Sequence, residues 1–122
     1  MEIILDTNFI ITCIKQKIPF IEEIMNLIPD AEIVVPEQVI MELEKAEKNK
    51  ELKIIDRNAA NLGLQLTKNL RKIKLNKKYV DKGILEYVKD NPDAYVATLD
   101  KELKNQIRNT ISIRGKRKLA IS

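Results

Sequence analysis

The chain has 122 residues, 44% apolar and 33% charged, with 22 basic side chains against 18 acidic ones and a sequence pI near 9.1. That length suits one hydrophobic core rather than two, so residues 1–122 are expected to form a single domain, and the balance of apolar to charged residues is that of a globular protein. The complete lack of histidine excludes a Ser-His-Asp triad and nearly every common zinc constellation, leaving carboxylates, lysines, hydroxyls or a hard cation for any chemistry.

Glu2-Ile3-Ile4-Leu5 reads as a buried strand, and Asp6-Thr7-Asn8 after it as a helix start. Phe9, Ile10, Cys13 and Ile14 fall at helical spacing, as do Phe20, Ile21, Ile24, Leu27 and Ile28 beyond Pro19. Glu32 to Val35 is a second strand, and Pro36 opens a helix striped by Val39, Ile40, Leu43 and Ala46. Glu51 to about Lys72 carries a longer helical pattern through Leu52, Ile55, Ala59, Leu62, Leu66 and Leu70, with Gly63 as its weak point. Ile73 to Leu75 suggests a short strand and Asp81 to Val88 a helix. After the turn Asp90-Asn91-Pro92-Asp93, a strand runs from Ala94 to Leu99. Lys101 to Arg108 is helical and Thr110 to Ile113 a strand, followed by the basic segment Arg114-Gly115-Lys116-Arg117-Lys118 and an apolar end.

Strands that alternate with helices and are apolar on both faces indicate an α/β fold, a mostly parallel central sheet flanked by helices on both faces. In such sheets, ligands bind beyond the carboxyl ends of the strands. Asp6 and Asp100 each follow a strand directly and share that edge. An aspartate there is ordinarily an N-cap, and it is the repetition that points to function. Asp81 lies three and four residues before Ile84 and Leu85, on the face expected to pack toward the sheet, where a carboxylate needs a cation or N–H donors; as a first helical residue it also suits a cap. Glu42 and Glu44 lie on opposite margins of one apolar stripe, and periodicity does not choose between them. Asp93 precedes its strand and reads as a turn residue.

The runs Ile3-Ile4-Leu5-Asp6-Thr7-Asn8, Val34-Val35-Pro36 leading to Val39-Ile40-Met41-Glu42-Leu43, Asp81 at a helix start, and Ala97-Thr98-Leu99-Asp100-Lys101-Glu102-Leu103 together resemble PIN-domain nucleases in order and spacing. The ending Ile113-Arg114-Gly115-Lys116 is similar to that of archaeal members related to ribosomal-RNA-processing PIN proteins. The resemblance implies a PIN-like nuclease domain that hydrolyses RNA. Its catalytic and metal-holding quartet is Asp6, Glu42, Asp81 and Asp100, which selects Glu42 over Glu44, and Asn8 and Thr98 are accessory polar residues. Leu99 departs from the small polar residue that many members carry there.

Mg²⁺ or Mn²⁺ is the implied cofactor, since hard cations choose oxygen ligands. The cluster Arg114, Lys116, Arg117 and Lys118 is the expected RNA contact. The lysine-rich stretch from Lys68 to Lys78 suits a solvated face at least as well, and with few aromatic residues base stacking is not expected to be the main grip. The resemblance also implies a homodimer. Alternatives are a VapC-type toxin silenced by an antitoxin partner, or a non-catalytic RNA-binding module. Cys13, the single cysteine, reads as a buried small hydrophobe. The apolar stretch from Phe9 to Ile14 is too short for a membrane span and Met1 to Asp6 lacks the character of a secretory signal, so a cytoplasmic location without a membrane partner is expected.

Overall fold

The computed structural model describes every residue except Lys116. In chain order the elements are β1 (Glu2–Leu5), α1 (Thr7–Lys15), α2 (Phe20–Leu27), β2 (Glu32–Pro36), α3 (Glu37–Lys48), α4 (Ile54–Thr67), β3 (Arg71–Ile73), α5 (Val80–Asp90), β4 (Tyr95–Ala97), α6 (Lys101–Gln106), β5 (Thr110–Arg114) and β6 (Lys118–Ile121). The strands form one sheet in the order β3-β2-β1-β4-β5-β6, parallel throughout except that β6 returns antiparallel to β5.

The unbroken apolar runs of the central strands follow from two cores, one on each face of the sheet. Because strand side chains alternate, Ile3 and Leu5 enter one core while Ile4 enters the other. The same split sends Ile33 and Val35 to the first face and Val34 to the second, with Ala97 and Val96 divided likewise. The first core also holds Phe9, Ile10 and Cys13 of α1, Phe20 and Ile24 of α2, and Val39 and Leu43 of α3. The second holds Ile84 of α5 and Leu103 of α6.

Local expectations for α4 and β3 are corrected, and one strand is added. The helix expected over Glu51 to Lys72 is shorter, because the Lys72 ammonium donates to the carbonyls of Thr67, Lys68 and Leu70 at 2.8, 3.1 and 2.6 Å. That satisfies the orphan carbonyls at the helix end and turns the chain into β3, which lies at Arg71–Ile73 rather than at Ile73 to Leu75.

The buried face of α4 is also not the leucine stripe. Ala59, Ala60, Gly63 and Thr67 face inward, while Ile55, Leu62 and Leu66 are exposed. Small residues win because α1 and α3 come close: a Cβ on Gly63 would lie 3.0 Å from Ile10 Cγ2 and 3.6 Å from Leu43 Cδ2. Gly63 thus marks a close approach of α4 to α1 and α3 that a larger residue would crowd. Finally, the apolar end is a strand, β6, reached through Gly115 and Arg117, both at positive φ.

Candidate active site

The strand order reverses at β1 and β4. From β1 the chain passes into α1 on the first face, and from β4 into α6 on the second, so the two connections diverge and leave a crevice at the carboxyl edge between them. Asp6 and Asp100 stand on either side of it. The Asp6 amide donates to Ala97 O at 3.0 Å, tying the end of β1 to that of β4.

Both aspartates are N-caps, as their positions suggested. Asp6 Oδ1 accepts from the Thr7 amide at 2.9 Å, and Asp100 Oδ1 accepts from the Glu102 and Leu103 amides at 2.9 and 3.3 Å. Capping occupies one oxygen of each and orients the other, so the capping role and a role in the crevice are compatible. Fully buried Thr98 joins the two: its hydroxyl donates to Asp6 Oδ2 at 2.8 Å and accepts from the Asp100 amide at 3.1 Å.

Glu42 reaches the same place from α3, where its Oε1 accepts from the Thr7 hydroxyl. An open cleft of about 750 Å³ is lined by Asp6, Asn8, Glu42, Asp81 and Asp100, together with Lys15, Lys45 and Asp56. Glu44 is not in its wall. Lys15 and Asp56 pair at 2.7 Å across α1 and α4.

Asp81 corrects an expectation. It is exposed in the first turn of α5 and does not pack toward the sheet; the buried residues of that helix are Gly83 and Ile84. Nor is it the cap, a position held by Tyr79, and its Oδ1 accepts only from the adjacent Lys82 amide at 2.9 Å. Solvent access therefore relieves this carboxylate of the need for a buried partner. Asn8 is exposed on the cleft wall.

Burial raises the Asp6 carboxyl above the ordinary aspartate value. The Thr98 hydroxyl and the Thr7 amide oppose the rise, and the charges of Glu42 and Asp100 add to it. Cys13, buried in the first core, has its thiol pushed up to about 12, which fits an inert core residue.

Among the described residues, no three acidic or cysteine side chains form a ready-made ion cage. The donors nonetheless suit a hard divalent cation that keeps part of its water shell. They are all oxygens, and they come as carboxylates of like charge on one cleft, where Glu42 and Asp100 add to the rise that burial imposes on Asp6.

The basic residues divide. Arg71 is engaged with Glu2 and Glu32 at the opposite edge of the sheet, Lys72 caps α4, and Lys77 pairs with Glu86 at 3.3 Å, so much of the lysine-rich stretch is structural. Arg114 and Lys118 are exposed partners in the β5–β6 hairpin. Arg117 lines a recess of about 350 Å³ with Lys15, Gln16, Lys17 and Gly115, and Lys15 also lines the acidic cleft. Lys116, expected in the same cluster, lies outside the described residues. No helix among the described residues is long and apolar enough to cross a membrane.

The chain is similar to several known proteins. Ribonuclease VapC4 of Methanocaldococcus jannaschii is 39% identical over 107 residues, covering 87% of this chain and 82% of that one. A solved structure of the PIN domain endonuclease Utp24 is 28% identical with a TM-score of 0.77, covering 99% of this chain and 90% of that one. VapBC2 of Rickettsia felis, solved bound to a promoter DNA fragment, shares the fold at 14% identity and a TM-score of 0.58, over 93% of this chain and all of that one. The family model described as a PIN like domain matches residues 3–116. The chain belongs to the PIN-like domain family.

Proposed function

We propose that the protein is an Mg²⁺- or Mn²⁺-dependent endoribonuclease whose acidic quartet, Asp6, Glu42, Asp81 and Asp100, holds the cation. The observation that carries this reading is the Thr98 hydroxyl shared between Asp6 and Asp100, which sets two acids, 94 positions apart in the chain, against one cleft that Glu42 and Asp81 also line.

A divalent cation bound there would supply charge relief at the phosphoryl oxygens and lower the pKa of water. The protein's part is positional. Thr98 and the capped amides orient Asp6 and Asp100, Thr7 steers Glu42, and Asp81 stands at the solvent side. Water oxygen attacks phosphorus, the bond to one ribose oxygen breaks, and the products are a phosphate monoester and a free hydroxyl. Lys15 and Lys45 on the walls, and Arg117 in the recess that shares Lys15, provide counter-charge for the flanking phosphates, joined by Arg114 and Lys118 of the same hairpin.

Two biological settings fit. The likeness to Ribonuclease VapC4 supports a toxin with an antitoxin partner, whereas the likeness to Utp24 over nearly the whole chain, with the similarity of the ending to ribosomal-RNA-processing members, supports RNA maturation. Growth arrest on expression, relieved by a co-expressed small partner, selects the first. A homodimer is expected from the family resemblance and is measured by light scattering.

The test is incubation with single-stranded and structured RNAs in Mn²⁺, Mg²⁺ or EDTA. Cleavage should need the cation and fall by about a hundredfold or more in Asp100→Asn and Glu42→Gln, a loss of the size seen when one preorganised electrostatic contact is removed, while Glu44→Gln stays at the wild-type level. Full activity in EDTA, or in Asp100→Asn, sinks the proposal.

A further inference from the structure

The cleft faces its substrate with a charge problem. Five carboxylates line it, those of Asp6, Glu42, Asp56, Asp81 and Asp100, against the ammonium groups of Lys15 and Lys45. A phosphate is repelled from such a floor until cations neutralise it, so a grip that does not depend on phosphate charge is worth most here.

One aromatic side chain has the exposure and the position for such a grip. Phe9 and Phe20 are buried against each other, Tyr95 is half-buried in β4, and Tyr87 is half-buried with its hydroxyl on Glu2. Tyr79 is different: it is 60% exposed, stands in the cleft wall beside Asp81, and is anchored through its backbone as the N-cap of α5, its carbonyl accepting from the Gly83 amide at 3.0 Å. The Lys78 and Lys82 ammonium groups lie 5.9 and 5.8 Å from its ring centroid, within cation–π range. Both lysines are exposed, and their long side chains yield readily to a flat ligand.

Resting on the ribonuclease reading above, we propose that Tyr79 is a base-stacking platform at the lip of the cleft. It receives one unpaired nucleotide beside the scissile phosphate, and Lys78 and Lys82 then flank that nucleotide's phosphates. Stacking on an aromatic ring is tolerant of base identity, so the platform selects unpaired RNA over duplex and leaves sequence choice elsewhere. On this proposal, one well-placed ring matters more than the number of aromatics.

The test uses the full chain with a ten-nucleotide single-stranded RNA carrying 2-aminopurine at successive positions, with Ca²⁺ and again with EDTA. Tyr79→Phe should bind within about twofold of wild type, and Tyr79→Ala about tenfold or more weakly, the range for loss of one stacked base. 2-Aminopurine fluorescence should be quenched at one position by wild type and Tyr79→Phe but not by Tyr79→Ala. An abasic nucleotide at that position should weaken wild-type binding and erase the difference from Tyr79→Ala. Equal affinity and equal quenching in Tyr79→Ala overturn the proposal, as does the absence of RNA binding by wild type in both buffers. Tyr79-dependent quenching without cleavage in Mn²⁺ would leave the platform standing and remove the nuclease reading, whereas cleavage with an indifferent Tyr79→Ala would do the reverse.

Discussion

The Thr98 hydroxyl lies 2.8 Å from Asp6 Oδ2 and donates to it, which makes a fully buried threonine the link between the two strand ends that frame the cleft. Because the same oxygen accepts from the Asp100 amide, the bond orders both aspartates at once. Thr98→Val keeps the shape and removes the hydroxyl, leaving a backbone N–H without its acceptor. It should destabilise the fold by about 1–3 kcal/mol, measured by denaturant unfolding. The Asp6 carboxyl also loses the strongest influence holding it down, so the rising limb of the pH–cleavage profile should move to higher pH. Restoration of both by Thr98→Ser separates the hydroxyl from packing, and an unmoved profile with wild-type stability rules the link out.

Asp6 should make the metal-free protein less stable as pH rises. Its folded value lies above the unfolded one, so between the two the folded chain binds more protons, and stability falls as pH climbs through that window. Asp6→Asn carries no charge to bury. In EDTA it should melt above wild type at neutral pH, and the gap should close as pH drops through the window to the unfolded aspartate value of 3.8. A gap of constant size from pH 7 to pH 3 contradicts this.

Gly83 packs α5 onto the strand side, and an added Cβ would lie 2.8 Å from Leu75 Cβ. That atom is fixed to the backbone, so the helix must shift. Gly83→Ala should gain about 1 kcal/mol in helix propensity and lose about 1–3 kcal/mol to overpacking, for no net gain or a net loss of stability. Because α5 carries Asp81, cleavage should fall as well. A mutant stabilised by the full propensity increment would show that the contact is slack.

The hairpin bases are tested by salt. If Arg114 and Arg117 each hold one phosphate, their change to Ala should lower the slope of log affinity against log salt by roughly 0.7–0.9 apiece. Equal slopes in wild type and the double mutant would place the RNA elsewhere.

Much of the fold was legible in the chain itself. β1, β2 and β4 are apolar on successive residues because each has a core on both faces, and that pattern cannot suit a half-exposed sheet. The positions of Asp6 and Asp100 just after strands were legible for the same reason, since a strand end and a helix cap have local signatures. β6 was not. Its apolar positions are few, and its pairing with β5 depends on a turn in which Gly115 and Arg117 take positive φ.

Local pattern determined the central strands, the Asp6 and Asp100 caps and the order of the acids. Tertiary structure alone decided which apolar stripe of α4 is buried, because helix propensity and hydrophobicity favour Leu62 and Leu66 whereas the close approach of α1 and α3 admits only Ala59, Ala60, Gly63 and Thr67. It also put Glu42 and not Glu44 in the cleft, Asp81 in solvent and Tyr79 at the rim. Periodicity tells which residues share a face of one element. Which neighbour that face meets is set by contacts between residues far apart in sequence, and these have no local signature.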